Sequence, residues 1–244
     1  MFPPNSGRDR AAARAPRPLR HGLATTALVF LACGAVAGLS VVSAAHARTL
    51  DAAERAISGL IYPALVTVVV AGFGAWQVVS RAVVFRRPGR ACRVRRVRFQ
   101  RGLLVRSWLE TEETPRRWIP VFFVPELVTL PSPVTVRLHG KRLVGAEING
   151  VRGYPSGRVR TAAPPGRRAD NPAQPDEDAA ARAKTTARWP RQLRVDSALL
   201  VTAPVVGLFW SFLDGSGFPG WLGATVITGA LVLWWASLRG SDPS

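Results

Sequence analysis

Cysteine, histidine and acidic side chains are all scarce in this chain: it has two cysteines, three histidines, and 15 Asp plus Glu against 33 Lys plus Arg. Cys33 falls in an apolar run and Cys92 among arginines, neither with a CxxC partner, so no disulfide framework or zinc site is implied. His21, His46 and His139 stand far apart, which argues against a histidine-rich metal centre, and no metal or cofactor is expected. Catalytic signatures are missing too. The stretch Gly215-Ser216-Gly217-Phe218-Pro219-Gly220 matches GxGxxG in letters only, because a dinucleotide site needs a strand before it and a helix after it. Here it joins two apolar runs and reads as a tight turn. Gly140-Lys141 lacks the earlier glycine of a phosphate-binding loop, and no serine stands in a GxSxG context. Glu110, Glu112, Glu113, Glu126 and Glu147 do not single out an acid and base pair.

Charge is also absent from four long stretches, and this absence is the most informative of all. Residues 22–45, 56–80, 197–213 and 220–238 carry no charged side chain. Each reaches the roughly 17–25 residues that a helix needs to cross a bilayer. Basic residues ahead of residue 22 and Ala45-His46-Ala47 after it have the order of a secretory signal, but the apolar run exceeds the ~7–15 residues of a signal core, so an uncleaved helix is expected. Gly34 and Gly38 form a GxxxG spacing that permits close helix approach, within the chain or in a homo-oligomer. The four runs hold no ionisable side chain, which disfavours a transport path. Glu54, Asp196 and Asp214 fall at their ends, Asp196 as an expected N-cap.

The positive charge is placed as well as abundant. Five arginines precede residue 22, two lie between the first two runs, 25 Lys and Arg lie between the second and third, none lies in the last turn, and Arg239 follows the fourth run. Lys and Arg stay on the cytoplasmic face during insertion, so both termini are expected inside a plasma (inner) membrane. Trp76, Trp234 and Trp235 would mark the inner boundary, Trp210 and Trp221 the outer one.

Residues 86–160 read as β-structure, with short runs rich in Val, Phe, Leu and Trp separated by Gly, Pro and Asn. Strands are expected at 92–99, 103–109, 118–124, 134–139, 142–148 and 151–160, with Asn149-Gly150 as a two-residue hairpin turn. Six strands in about 70 residues suit a small barrel of OB or SH3 type. Residues 161–195 read as a linker with a short basic helix after Asp176, Glu177 and Asp178. The expected fold class is therefore an α+β membrane protein. It has a basic tail (1–21), transmembrane hairpin 1 (22–45, 56–80), the cytoplasmic β-domain (86–160), the linker (161–195), transmembrane hairpin 2 (197–213, 220–238) and a short tail (239–244).

Arg86, Arg87, Arg90, Arg93, Arg95, Arg96 and Arg98 follow the second run, where anionic lipid attracts basic side chains by roughly 1 kcal/mol each. Nucleic acid is a weaker expectation, since no recognised binding motif accompanies them. At Arg117-Trp118-Ile119-Pro120-Val121-Phe122-Phe123, Tyr154-Pro155-Ser156-Gly157-Arg158 and Arg239-Gly240-Ser241-Asp242-Pro243-Ser244 the chain resembles uncharacterised conserved membrane proteins of actinobacteria. That resemblance implies location and architecture, not activity. The architecture is also similar to NfeD-like proteins, which pair membrane helices with an OB-type barrel and work beside stomatin-like partners. The functional expectation is a non-enzymatic adaptor presenting the β-domain to a protein partner or anionic lipid. The alternative is a subunit of a membrane enzyme or transport complex using Asp196, His139 or the glutamates at the membrane boundary.

Overall fold

The computed structural model describes residues 17–148, 150–169, 178, 181, 185 and 188–242. Helix α1 (Arg17–Ala45) leads through a short amphipathic helix α2 (Leu50–Ser58) into α3 (Ile61–Val84). After the β-domain come α4 (Trp189–Asp196), a 3-10 turn (Ser197–Val201), α5 (Thr202–Asp214) and α6 (Gly217–Arg239). Four helical segments, His21–Ala45, Ile61–Val84, Pro190–Asp214 and Gly217–Arg239, are long and apolar enough to cross a membrane. Their outward faces carry apolar side chains such as Leu31 (71% exposed), Val68 (69%) and Phe212 (83%). Exposed apolar surface of this extent marks a face suited to contact with a membrane or another protein.

The central helix is α6, which packs against α5 on one side and α1 on the other, while α1 also packs on α3. Val29 and Cys33 of α1, Val66 and Val70 of α3, and Ile227, Ala230 and Trp234 of α6 form its core. Gly207 lets α5 close onto α6, since a Cβ there would lie 2.1 Å from Thr225 Oγ1 and 2.9 Å from the Trp221 carbonyl oxygen. Gly34 and Gly38 do the opposite, because nothing lies within 4 Å of a Cβ built at either. The GxxxG face is therefore unused by helix packing among the described residues. The expected turn is present, with Gly215 (φ 64°) and Gly217 (φ 63°) in left-handed backbone that side chains disfavour.

The β-domain is an open antiparallel sheet ordered β3-β2-β1-β4-β5-β6, with β7 also on β1. Its spine is β1 (Gly89–Arg101), paired with β2 (Leu104–Thr111) along one edge. On the other edge β4 (Val134–His139) and β7 (Arg167–Ala169) pair with successive parts of β1. The remaining strands are β3 (Trp118–Pro120), β5 (Gly145–Ile148) and β6 (Val151–Gly153). Val94, Leu109, Ile119, Val121, Val136 and Ala146 meet in the core. β4 matches its expected range, and Ile148 pairs with Val151 as a two-residue turn requires, with Gly150 at φ 78°; Asn149 lies outside the described residues. Three departures have local causes. Pro120 lacks the N–H that a ladder needs, so β3 ends there and a 3-10 turn (Pro125–Leu127) follows. Residues after β6 form isolated bridges instead of a long strand, Pro155 to Val121, Arg158 to Leu143 and Arg160 to Trp118. β7 stands where a linker is expected, its entry allowed by Gly166 (φ 120°), whose Cβ would meet the Gln100 carbonyl oxygen at 2.2 Å. The helix expected after Asp176 lies mostly outside the described residues, as does the tail before Arg17.

Two junctions fix the β-domain to the helices. Phe85, just past α3, stacks edge-on against Tyr154 (5.0 Å between centroids) and lies 5.5 Å from His139. A Cβ on Gly145 would meet the Phe85 ring at 2.5 Å, so a glycine makes its seat. The second junction is the chain beyond α6. Gly240 turns it in left-handed backbone, Ser241 bridges to Arg106, and the Asp242 N–H donates to the Val105 carbonyl at 2.8 Å. The Asp242 carboxylate then accepts from Arg96 (2.7 Å) and from the Ser107 hydroxyl (2.5 Å). Both partners of that ion pair are buried, and removing one partner of a buried pair costs about 3–5 kcal/mol. Asp242→Ala is therefore expected to lower the unfolding free energy by that amount, read as an earlier thermal transition and faster proteolysis within the β-domain. An unchanged transition would show that the tail is not a clamp.

Candidate functional site

Among the described residues, several helix ends that carry basic side chains meet at one end of the helix bundle. The start of α1, the end of α3, the end of α4 and the end of α6 converge there, joined by polar contacts. His21 Nε2 donates to Asp196 Oδ2 at 2.8 Å, Thr25 and Ser237 share a hydrogen bond of 2.7 Å, and Arg81 donates to the Leu238 carbonyl at 3.0 Å. The Trp234 indole N–H donates to the Thr26 hydroxyl at 3.1 Å. At the opposite end lie α2 and the turn at Gly215. Asp196 is thus no N-cap: α4, the 3-10 turn and α5 run on as helix through it, and its side chain, 0% exposed, goes to His21 instead of to backbone amides.

The seven arginines of the basic cluster divide by environment. Arg86 and Arg87 are exposed just beyond α3, where they face whatever lies at the bundle end. Arg90 pairs with Glu113 and Arg93 with Glu112 (3.4 Å), both pairs well exposed and therefore worth little. Arg95 donates to Glu110 at 2.6 Å. Arg96 is spent on Asp242 and lies 5.9 Å from the centroid of the Phe123 ring. Arg98 is half-buried; burial pulls its guanidinium below the usual value and the charge of Asp242 partly offsets this. β1 turns Arg96 and Arg98 towards the same face as Val94 and Cys92, where the chain beyond α6 meets them, while Arg90 shares that alternation but lies at the exposed start of the strand. Cys92, buried in that core with Glu113 nearby, has its thiol pushed up to about 11, so it is a poor nucleophile.

The remaining residues weighed for chemistry are structural. His139 Nδ1 donates to the Arg87 carbonyl at 2.9 Å, and its Nε2 lies 3.6 Å from Glu147, which ties β4 to the end of α3. His21 and Asp196 form a dyad, and both are buried. No group of three His, Cys, Asp or Glu side chains that could hold a metal occurs among the described residues.

Arg81 is the residue that the sequence concealed. In the last turn of an apolar helix it reads as a boundary arginine reaching for water, but it is 3% exposed, with its guanidinium carbon 4.5 Å from the centroid of the Phe122 ring. It forms one end of a groove of about 490 Å³ between α1 and α3. Arg81 is half-legible at best from sequence, because its two partners come from elements 41 and 157 residues away. Comparison with protein-family models, with curated proteins and with solved structures yields no match. The description that stands is a helical bundle with an apolar exterior and a basic β-domain clamped to one end.

Glu110 gives that basic face a measurable pH dependence. Burial opposes its charge, but the Arg95 hydrogen bond and the charges of Arg95, Arg116 and Arg168 outweigh burial and hold its carboxyl below the usual 4.5. A lowered value contributes stability above pH ~4.5 that is lost as pH falls through the folded-state value. Glu110→Gln should cost about 1 kcal/mol at pH 7, because Arg95 is partly solvated, and the difference from wild type should shrink below pH ~4. Denaturant titration at pH 7 and pH 3.5 measures it, and an undiminished gap at pH 3.5 would contradict the assignment.

Proposed function

We propose that the protein is a membrane-anchored adaptor without catalytic activity, whose β-domain is presented at the cytoplasmic surface to a protein partner or to anionic lipid. The observation that carries this reading is the double clamp. A domain needed only as a soluble module gains nothing from Phe85 seated on Gly145 and a buried Arg96–Asp242 pair, whereas a domain that must hold one orientation against a membrane needs both. In this reading the four apolar helices cross the plasma membrane with both termini inside, since the described basic ends of α1, α3 and α6 share one end of the bundle with the basic β-domain and positive charge is retained on the cytoplasmic face. The bridges from residues 155–160 to Trp118, Val121 and Leu143 support a barrel-like closure of the sheet in the OB or SH3 manner. Exposed Arg86 and Arg87 are the side chains of the basic cluster best placed for lipid headgroups. The alternative of an enzyme or transport subunit has less support, because His139 and Asp196 are engaged in the junctions described above.

The reading is tested in native membranes. Asp214→Cys should react with a membrane-impermeant maleimide in intact cells, and Arg116→Cys only after permeabilisation; reversed labelling would overturn the orientation. A photo-crosslinking side chain placed at Arg116 or Lys141 of the full chain should capture the same partner repeatedly, and that partner should be lost in Asp242→Ala. Crosslinks to nothing but lipid at both positions would remove the protein-adaptor reading in favour of the lipid one.

A further inference from the structure

We infer that the groove between α1 and α3 is a binding site for an anionic glycerophospholipid, with an acyl chain along the groove and the phosphate at Arg81. The inference rests on the helices crossing the bilayer, and names a site separate from the exposed Arg86 and Arg87 beyond α3. Its first support is a charge that lacks compensation. The Arg81 guanidinium has five N–H donors, and a single one of its nitrogens bonds within the protein, to the neutral carbonyl of Leu238. No carboxylate among the described residues lies within ion-pair distance of it. The end of α6 offers the equivalent of about half a negative charge, and Phe122 offers a ring face. A guanidinium withdrawn from water asks for a full counter-charge, and a phosphate supplies one in the bidentate geometry that arginine favours.

The second support is the shape and chemistry of the groove. Its volume of about 490 Å³ lies within the ~300–1,000 Å³ typical of ligand sites. Its walls include Leu23, Phe30, Ala71, Gly74 and Val78, with Arg81 at the end nearest the β-domain. Small residues on α3 make it concave: nothing stands within 4 Å of a Cβ built on Gly74. The walls are partly exposed on the apolar exterior of the bundle, Leu23 by 51% and Val78 by 42%, the surface that a bilayer would cover. Arg81 sits in the last turn of α3, the level at which phosphates of the inner leaflet lie. A soluble anion would match the arginine alone; a phospholipid matches the arginine and the walls together.

The test uses the full-length protein in nanodiscs and reads bound lipid by native mass spectrometry, comparing phosphatidylglycerol with phosphatidylcholine. Wild type should prefer the anionic lipid by about tenfold. Arg81→Gln should abolish the preference, and Arg81→Lys should retain part of it. Gly74→Leu, which fills the groove and leaves the Arg81–Leu238 bond in place, should lower retention of bound lipid by about tenfold with an unchanged thermal transition. No preference in wild type, or a preference that survives both Arg81→Gln and Gly74→Leu, would overturn the inference and leave Arg81 as a clamp on the end of α6. The readout is lipid, so an adaptor that captures no protein partner leaves this result standing, whereas a chain that fails to enter membranes would sink both readings.

Discussion

A carboxylate and a guanidinium held out of water must meet each other, and the Asp242–Arg96 contact that results organises this molecule. Asp242 follows the central helix α6 by three residues, and Arg96 lies in the middle of the strand on which three of the sheet's pairings depend. Joining them fixes the longest strand of the β-domain to the most buried helix of the bundle. Neither group could be left there alone, since desolvation would penalise it heavily. The surroundings accommodate the contact in detail: Ser107 adds a second donor, and Gly240 supplies the left-handed turn, because a Cβ there would press on Ser156 and Phe122.

The same end of the bundle is organised by a layer of polar contacts that water-soluble helices would leave to solvent. His21 with Asp196, Thr25 with Ser237 and Arg81 with Leu238 tie together the ends of four helices far apart in sequence. Between apolar helices in lipid there is little hydrophobic force to align one against another, so such contacts and close approaches like Gly207 against Thr225 set the register. His21 and Asp196 bind each other there, whereas the buried Arg81 has one neutral oxygen and one aromatic ring as its partners.

The sequence made the helices, the hairpin turns and the location of the β-domain legible for one reason: each depends on neighbours within a few residues. A run without charge, a glycine needing positive φ, or an alternation of buried and exposed positions is a local property. The β4 range and the turn at Gly150 followed from it directly. β7 was not visible, since Arg167–Ala169 has no apolar alternation and becomes a strand only because β1 has a free edge beside it. Asp196 looked like a cap by position, but a buried histidine 175 residues away offered its carboxylate a better partner. The packing of Gly34 and Gly38 was equally undetermined, because spacing shows that a helix could approach, not that one does.

Composition and pattern by themselves therefore determined four helices suited to lipid, a basic β-domain between the second and third, and a charge distribution pointing one way. Tertiary structure alone decided which charges are spent and which remain available. Arg96 belongs to a run of arginines and Arg81 to the end of an apolar run, and neither setting shows what the side chain meets. Arg96 meets a carboxylate delivered by the chain beyond α6, and Arg81 lies at the end of an apolar groove between α1 and α3. Long-range packing makes that difference, and pairwise partners more than a hundred residues apart leave no local trace in the order of the amino acids.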